Sequence, residues 1–87
     1  MKNLTLFYLA NCPHCKKALS LIDEIKAERS DLAPVQITMI EESKDSATAE
    51  QYDYYYVPTF YLDDKKLHEG KVEKADVLGV LEQAAKS

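Results

Sequence analysis

Apolar positions along this chain recur with different periods, and each period names an element. Leu4-Thr5-Leu6-Phe7-Tyr8-Leu9 is a nearly continuous apolar, β-favouring run, which predicts a central parallel strand covered on both faces. The period then changes. Ala18, Leu21, Ile22 and Ile25 fall at i, i+3, i+4 and i+7, with Lys17, Ser20, Asp23, Glu24 and Glu28 off the stripe, and this predicts an amphipathic helix reaching about Arg29. Pro13 falls in its first turn, where the missing N–H leaves no helical bond unmade. Val35, Ile37 and Met39 alternate with Gln36 and Thr38 after Pro34, predicting a second strand. Strand, helix and strand in this order make a βαβ unit with parallel strands and a right-handed crossover.

Further along, Ser43 or Ser46 is placed to cap a short helix from Ala47 to about Tyr52, and Thr59 to Leu62 reads as a third strand. Asp63-Asp64 supplies a turn, after which Lys65 to Glu69 returns antiparallel as a charged edge strand ended by Gly70. A last helix starts near Glu73, with Val77, Leu81 and Ala84 on one face and Leu78, Val80 and Ala85 flanking it. The order βαβαββα describes an α/β chain. With 87 residues, 46% of them apolar, and no repeat, low-complexity tract or linker, residues 1–87 are expected to form one domain around one small core.

Composition removes several function classes. The longest apolar runs, Leu4 to Ala10 and Tyr54 to Leu62, are too short to cross a bilayer, and Pro58 breaks the second. Met1-Lys2-Asn3-Leu4 leads straight into a strand without the longer apolar core of a secretory signal, so cytoplasm is the expected compartment. Eleven Lys and Arg against fifteen Asp and Glu give a net charge of −4, the wrong sign for tracking nucleic acid. The charge is uneven, because Lys2, Lys16 and Lys17 all precede the first acidic residue, Asp23. The surroundings of the two cysteines are therefore locally positive, which favours a thiolate. Two cysteines three positions apart exclude a multi-disulfide framework, and in a reducing compartment the pair points to catalysis or metal binding.

A C-x-x-C pair at a strand–helix junction puts Cys12 at the helix N-terminus, where free N–H groups and the helix dipole stabilise its thiolate. Cys15 lies one turn further in, near enough to attack the Cys12 sulfur and less exposed, which suits it to resolve a mixed disulfide. Pro13 stiffens the turn, and a protonated His14 would add positive charge beside Cys12 and lower its pKa further. Lys16 and Lys17 act the same way more weakly, being screened, and read better as docking charges. The rival reading is half of a zinc site. There is no second C-x-x-C, and the other soft ligands are His14, inside the motif, and His68, in the distant hairpin, so a closed four-ligand site is hard to assemble.

Cys12-Pro13-His14-Cys15 followed by Lys16-Lys17-Ala18, after a short N-terminal strand, resembles the C-P-Y-C signature of glutaredoxins with His in place of Tyr. Val57-Pro58-Thr59-Phe60 is similar to the V-P segment that opens their third strand, and its Pro-Thr pair also resembles thioredoxins. The resemblance spans the chain. It implies a thioredoxin-like fold with a four-stranded mixed sheet flanked by helices, a cis bond before Pro58, and thiol–disulfide exchange with Cys12 attacking and Cys15 resolving. It further implies that the Val57 backbone faces the site, where an incoming chain or glutathione pairs with it as an added strand, and that Lys16, Gly70 and Glu73 help hold that substrate.

Two departures bear on the substrate. Glutaredoxins commonly carry a basic residue three positions before the first cysteine, and a Gly-Gly with an acidic pair near the last helix. Here these read Leu9, and Glu69-Gly70 followed by Lys71-Val72-Glu73, so only Gly70 and Glu73 match. C-P-H-C is also the motif of strongly oxidising periplasmic disulfide oxidases, which are longer, and this leads us to expect a more oxidising pair than in thioredoxin. The expected protein is a monomer without a tightly bound cofactor or metal, acting on disulfide-bearing proteins or glutathione, with glutathione as co-substrate. One alternative is a dedicated electron donor recharged by a thioredoxin reductase. Another is a module in which Cys12 from two chains holds an iron–sulfur cluster, against which Pro13 stands because cluster-binding members more often have a small residue there.

Four tyrosines, Tyr52, Tyr54, Tyr55 and Tyr56, crowd the approach to Pro58. Alternation would turn Tyr54 and Tyr56 to one side and Tyr55 to the other, with one of the four available to grip a peptide or glutathione. Tyr8 is expected in the core or beneath the active-site loop, Asn11 in the loop that presents Cys12, and His68 on the surface.

Overall fold

The first apolar run forms strand β1 (Leu4–Tyr8) in the computed structural model, which describes residues 3–87. Strand side chains alternate between faces, and here the two faces meet two separate cores. Leu4 and Leu6 join Ala18, Ile22, Ile25, Val77 and Leu81 on one side. Phe7 joins Ala49 and Tyr61 on the other. A strand covered on both faces must be apolar throughout, and that is why its pattern is continuous.

Helix α1 (Pro13–Glu28) has Cys12 as its N-cap and buries Cys15, Ala18, Ile22 and Ile25. Strand β2 (Ile37–Glu41) runs parallel to β1, in register from Leu4 opposite Ile37 to Tyr8 opposite Glu41. It starts two positions later than the alternation from Val35 suggests. Val35 is buried in the larger core and its carbonyl is taken by Lys26 Nζ at 2.5 Å, so it closes the α1–β2 connection and takes no part in the ladder.

Neither Ser43 nor Ser46 caps the short helix α2 (Ser46–Ala49). Its N-cap is Asp45, whose carboxylate accepts the Thr48 N–H at 3.4 Å, while the Ser43 hydroxyl turns back to the Glu41 carboxylate at 2.7 Å. The helix also stops short of Tyr52, which leaves the helical path to pack its ring 4.7 Å from that of Phe7 and 4.9 Å from that of Tyr61.

Strand β3 (Thr59–Leu62) is buried at all four positions and pairs antiparallel with β1, Leu4 opposite Leu62 and Phe7 opposite Thr59. Strand β4 (Lys65–Glu69) returns beside it with an irregularity between Phe60 and Tyr61, after a turn in which Asp63 takes φ 53°. Helix α3 (Lys74–Lys86) buries Val77, Val80, Leu81 and Ala84. This is a full i, i+3, i+4, i+7 stripe, so Val80 belongs to the core and not to its flank. The sheet order is β2-β1-β3-β4, a four-stranded mixed sheet with α1 and α3 on the larger core and α2 with the tyrosine segment on the smaller. Among the described residues no helix is long and apolar enough to cross a membrane.

Candidate active site

The site lies where β1 gives way to α1. Backbone leaving Tyr8 turns tightly, with the Cys12 N–H donated to the Leu9 carbonyl at 3.2 Å, and Cys12 takes an extended conformation as N-cap. Its side chain makes no capping hydrogen bond, and it sits beside the N–H groups that the first helical turn leaves unpaired. The Cys15 N–H is the strongest influence holding the Cys12 thiol below its ordinary pKa, with the Cys15 thiol and the His14 N–H adding to it and partial burial working against it. Cys15 is 1% exposed. Burial is the leading cause pushing its thiol up to about 11, with the Cys12 thiol and the Glu42 charge acting in the same direction and the Leu9 N–H opposing them; that N–H lies 3.4 Å from Cys15 Sγ. Both thiols are free. Environment alone has divided two identical groups into an activated thiol and a protonated reserve.

Other sequence candidates fall into place around this pair. Pro13 occupies the first helical position, and His14 and Lys16 are exposed beside it. The His14 N–H is among the groups that lower the pKa of the Cys12 thiol. Lys17 is engaged in an ion pair with Glu73 at 3.1 Å, which ties α1 to the start of α3. His68 Nε2 meets the Lys71 carbonyl at 2.8 Å and so latches β4 to the chain that follows it.

Across the sheet, the Val57–Pro58 bond is cis. Because Thr59 pairs with Phe7, Pro58 sits beside Tyr8, at the sheet end from which the Cys12 loop departs. The Pro58 carbonyl accepts the Gly70 N–H at 2.8 Å, and the Thr59 hydroxyl donates to the Tyr56 carbonyl. Between them, the Val57 N–H and C=O have no hydrogen-bond partner among the described residues. Gly70 has φ +89°, a conformation that glycine tolerates and other residues resist. Glu73 serves as N-cap of α3, its N–H donated to Asp76 Oδ2 at 2.8 Å.

A cavity of about 400 Å³ opens beside Cys12, walled by Leu9, Ala10, Asn11, Glu41 and Ser43. It adjoins one of about 380 Å³ that shares Leu9 and Ser43 and extends to Glu42, Tyr54 and Tyr55. A larger cavity of about 660 Å³ lies at the opposite end of the sheet, bounded by Asn3, Tyr61 and Asp63; it contains no thiol. Sequence reasoning does not single out Glu41 or Glu42, and it reads Ser43 only as a helix cap. The available signal is topological, since the carboxyl ends of adjacent parallel strands share one edge, and there Glu41 ends β2 while Glu42 and Ser43 follow it. The tyrosines divide by packing instead of by alternation, because 53–58 is not a strand. The Tyr52 ring lies tilted against Phe7 and the Tyr54 ring stacks on it, at 4.7 and 4.9 Å, and the Tyr54 hydroxyl donates to Glu42 at 2.6 Å. Tyr55 and Tyr56 are 87% and 70% exposed. Among the described residues, no three His, Cys, Asp or Glu side chains gather as a metal site.

Compared with known families, residues 3–82 match the model of a family described as a thioredoxin domain. Among curated proteins the chain finds no match. The family match runs from the start of β1 well into α3, taking in the thiol pair and the cis proline alike, and the chain therefore belongs to the thioredoxin-domain family, whose members are generally oxidoreductases.

Proposed function

We propose that this protein is a glutaredoxin-like thiol–disulfide oxidoreductase in which Cys12 attacks and Cys15 resolves. The observation that carries the reading is the placement of the two thiols, Cys12 at the N-terminus of α1 and Cys15 buried one turn further in, which shifts their acidities in opposite directions. The Cys12 thiolate attacks one sulfur of a substrate disulfide. That S–S bond breaks, the first substrate thiol leaves as thiolate and takes up a proton, and a mixed disulfide joins Cys12 to the remainder. Cys15 then gives up its proton and attacks Cys12 Sγ, releasing the second substrate thiol and leaving a Cys12–Cys15 disulfide. Two electrons pass to the substrate. An extended substrate chain pairs with the free Val57 peptide groups, as an added strand pairs with a sheet edge. The protein acts as a single-domain monomer in the cytoplasm, without a tightly bound cofactor, and glutathione restores the dithiol.

A second reading has its own support. Gly70 and Glu73 are the positions that match the glutathione-holding end of glutaredoxins, and here the Gly70 N–H is spent on Pro58 and the Glu73 carboxylate on Lys17. Leu9 adds no positive charge. These engagements favour a dedicated electron donor recharged by a thioredoxin reductase. A coupled assay separates the two: turnover with glutathione and glutathione reductase supports the first, and turnover that needs the flavoprotein and ignores glutathione replaces it with the second. In either case Cys12→Ser abolishes disulfide reduction, whereas Cys15→Ser accumulates mixed disulfides. Trapping through Cys15 in the Cys12→Ser protein would overturn both.

A further inference from the structure

Strand β4 ends on Glu69, whose side chain is only 19% exposed although it is charged. It turns onto the segment ahead of the cis proline. One oxygen, Oε2, accepts the consecutive N–H groups of Tyr55 and Tyr56 at 2.5 and 2.9 Å, and the other, Oε1, meets Lys66 Nζ at 2.7 Å. Lys66 and these two amides hold the carboxyl far below its usual range, at about 2, so the clasp stays ionised at any pH at which the thiols exchange. Lys66 also donates to the Asp53 carbonyl at 3.2 Å, where the Tyr61 hydroxyl donates at 2.7 Å. The segment is thus fastened to β3 and β4 at Asp53, Tyr55 and Tyr56, and again at Pro58 through the Gly70 N–H. Val57 alone lies between the last two anchors, with both of its peptide groups unpaired among the described residues.

We propose that Glu69 is a positioning residue for disulfide exchange: by clasping the Tyr55 and Tyr56 amides it holds the Val57 peptide groups ready to pair with an extended polypeptide that carries the disulfide. The idea rests on the redox reading above. Its physical basis is preorganisation, because a loop already fixed in the bound shape loses less entropy when a strand adds to it. A carboxylate does this better than a neutral acceptor, since bonds to a charged oxygen are shorter and stronger. The substrate class follows from what is left outside the clasp. Tyr55 and Tyr56, the two residues immediately before Val57, are exposed and give a polypeptide an aromatic contact surface beyond the disulfide itself.

The test compares Glu69→Ala and Glu69→Gln with the unaltered protein on two substrates, a disulfide-bonded peptide and hydroxyethyl disulfide, with the pH profile of Cys12 alkylation and Tm measured alongside. Glu69→Ala is expected to raise KM for the peptide about tenfold, leaving kcat, the small-disulfide rate and the alkylation profile in place. Glu69→Gln, which keeps an acceptor oxygen, should fall between and serves as the folded comparison should the alanine variant lose its transition. An unchanged peptide KM in a folded variant overturns the proposal, as does an equal loss on both substrates, which would mark Glu69 as a structural support only. A wild-type protein inert toward both disulfides would overturn the redox reading itself.

Discussion

Cys12 and Cys15 are chemically identical, and position makes them different. The free amides of the first helical turn stabilise negative charge on one, while loss of water around the other penalises it. For Cys15 the consequence for stability has a definite sign. The folded reduced protein holds this proton up to about 11, while the unfolded chain releases it near the ordinary thiol value, so its contribution is complete below that value and is lost as pH rises toward 11. Urea unfolding of the reduced protein should therefore show stability falling across this window, with a smaller fall in Cys15→Ala; equal falls would contradict the buried, protonated thiol. His14 gives a second test. It influences Cys12 through its backbone N–H, which every non-proline side chain preserves, so His14→Ala should leave the Cys12 titration nearly unmoved. A rise of about one pKa unit, equivalent to roughly 30 mV in the potential of the pair, would show that the imidazole charge matters after all.

At the scale of elements, legibility followed how locally each one is determined. β1, α1 and β3 carry their patterns in consecutive residues, and Leu4, Ala18, Ile22 and Phe60 lie in the core as those patterns require. β2 was less legible because its start depends on a partner: pairing begins opposite Leu4, and the Lys26 bond removes Val35 from the ladder. The cap of α2 was misread because Ser43, Asp45 and Ser46 are all competent caps in isolation, and the Glu41 carboxylate decides by capturing Ser43. Asp45→Ala should cost about 1 kcal/mol, read as a lower urea midpoint with unchanged slope; no change would mean that packing of Ala49 alone holds the turn. Gly70 lies at a junction of the same kind, between β4 and α3. A Cβ there would meet Tyr56 Cβ at an ordinary 3.7 Å, so the cost of Gly70→Ala is conformational, about 1–2 kcal/mol from the left-handed φ. A neutral outcome would show that this backbone relaxes.

Over the whole molecule, the ion pairs between the ends and faces of α1 and α3, Lys17 with Glu73, Lys74 with Glu24 and Glu28, and Arg29 with Glu82, are exposed and add little. The two cores on either side of β1 hold the domain, and they place the Cys12 loop and Pro58 at one end of the sheet. The chemical half of that site was legible because C-x-x-C before a helix and a Val-Pro before a strand name their chemistry by residue type and spacing. The supporting half was not. Glu69 looks like an edge-strand charge until the path of 53–58 brings two amides onto it, and Glu41 and Ser43 reach the thiol pocket through the parallel pairing of β2 with β1. The account stands on the division of labour between the two thiols, and alkylation across pH with each adduct assigned by mass measures that division directly. Cys12 should react first, with a midpoint below the ordinary thiol value, and Cys15 should stay unmodified in the folded protein until pH approaches about 11. Reaction of both thiols at one rate, or of Cys15 first, would contradict it.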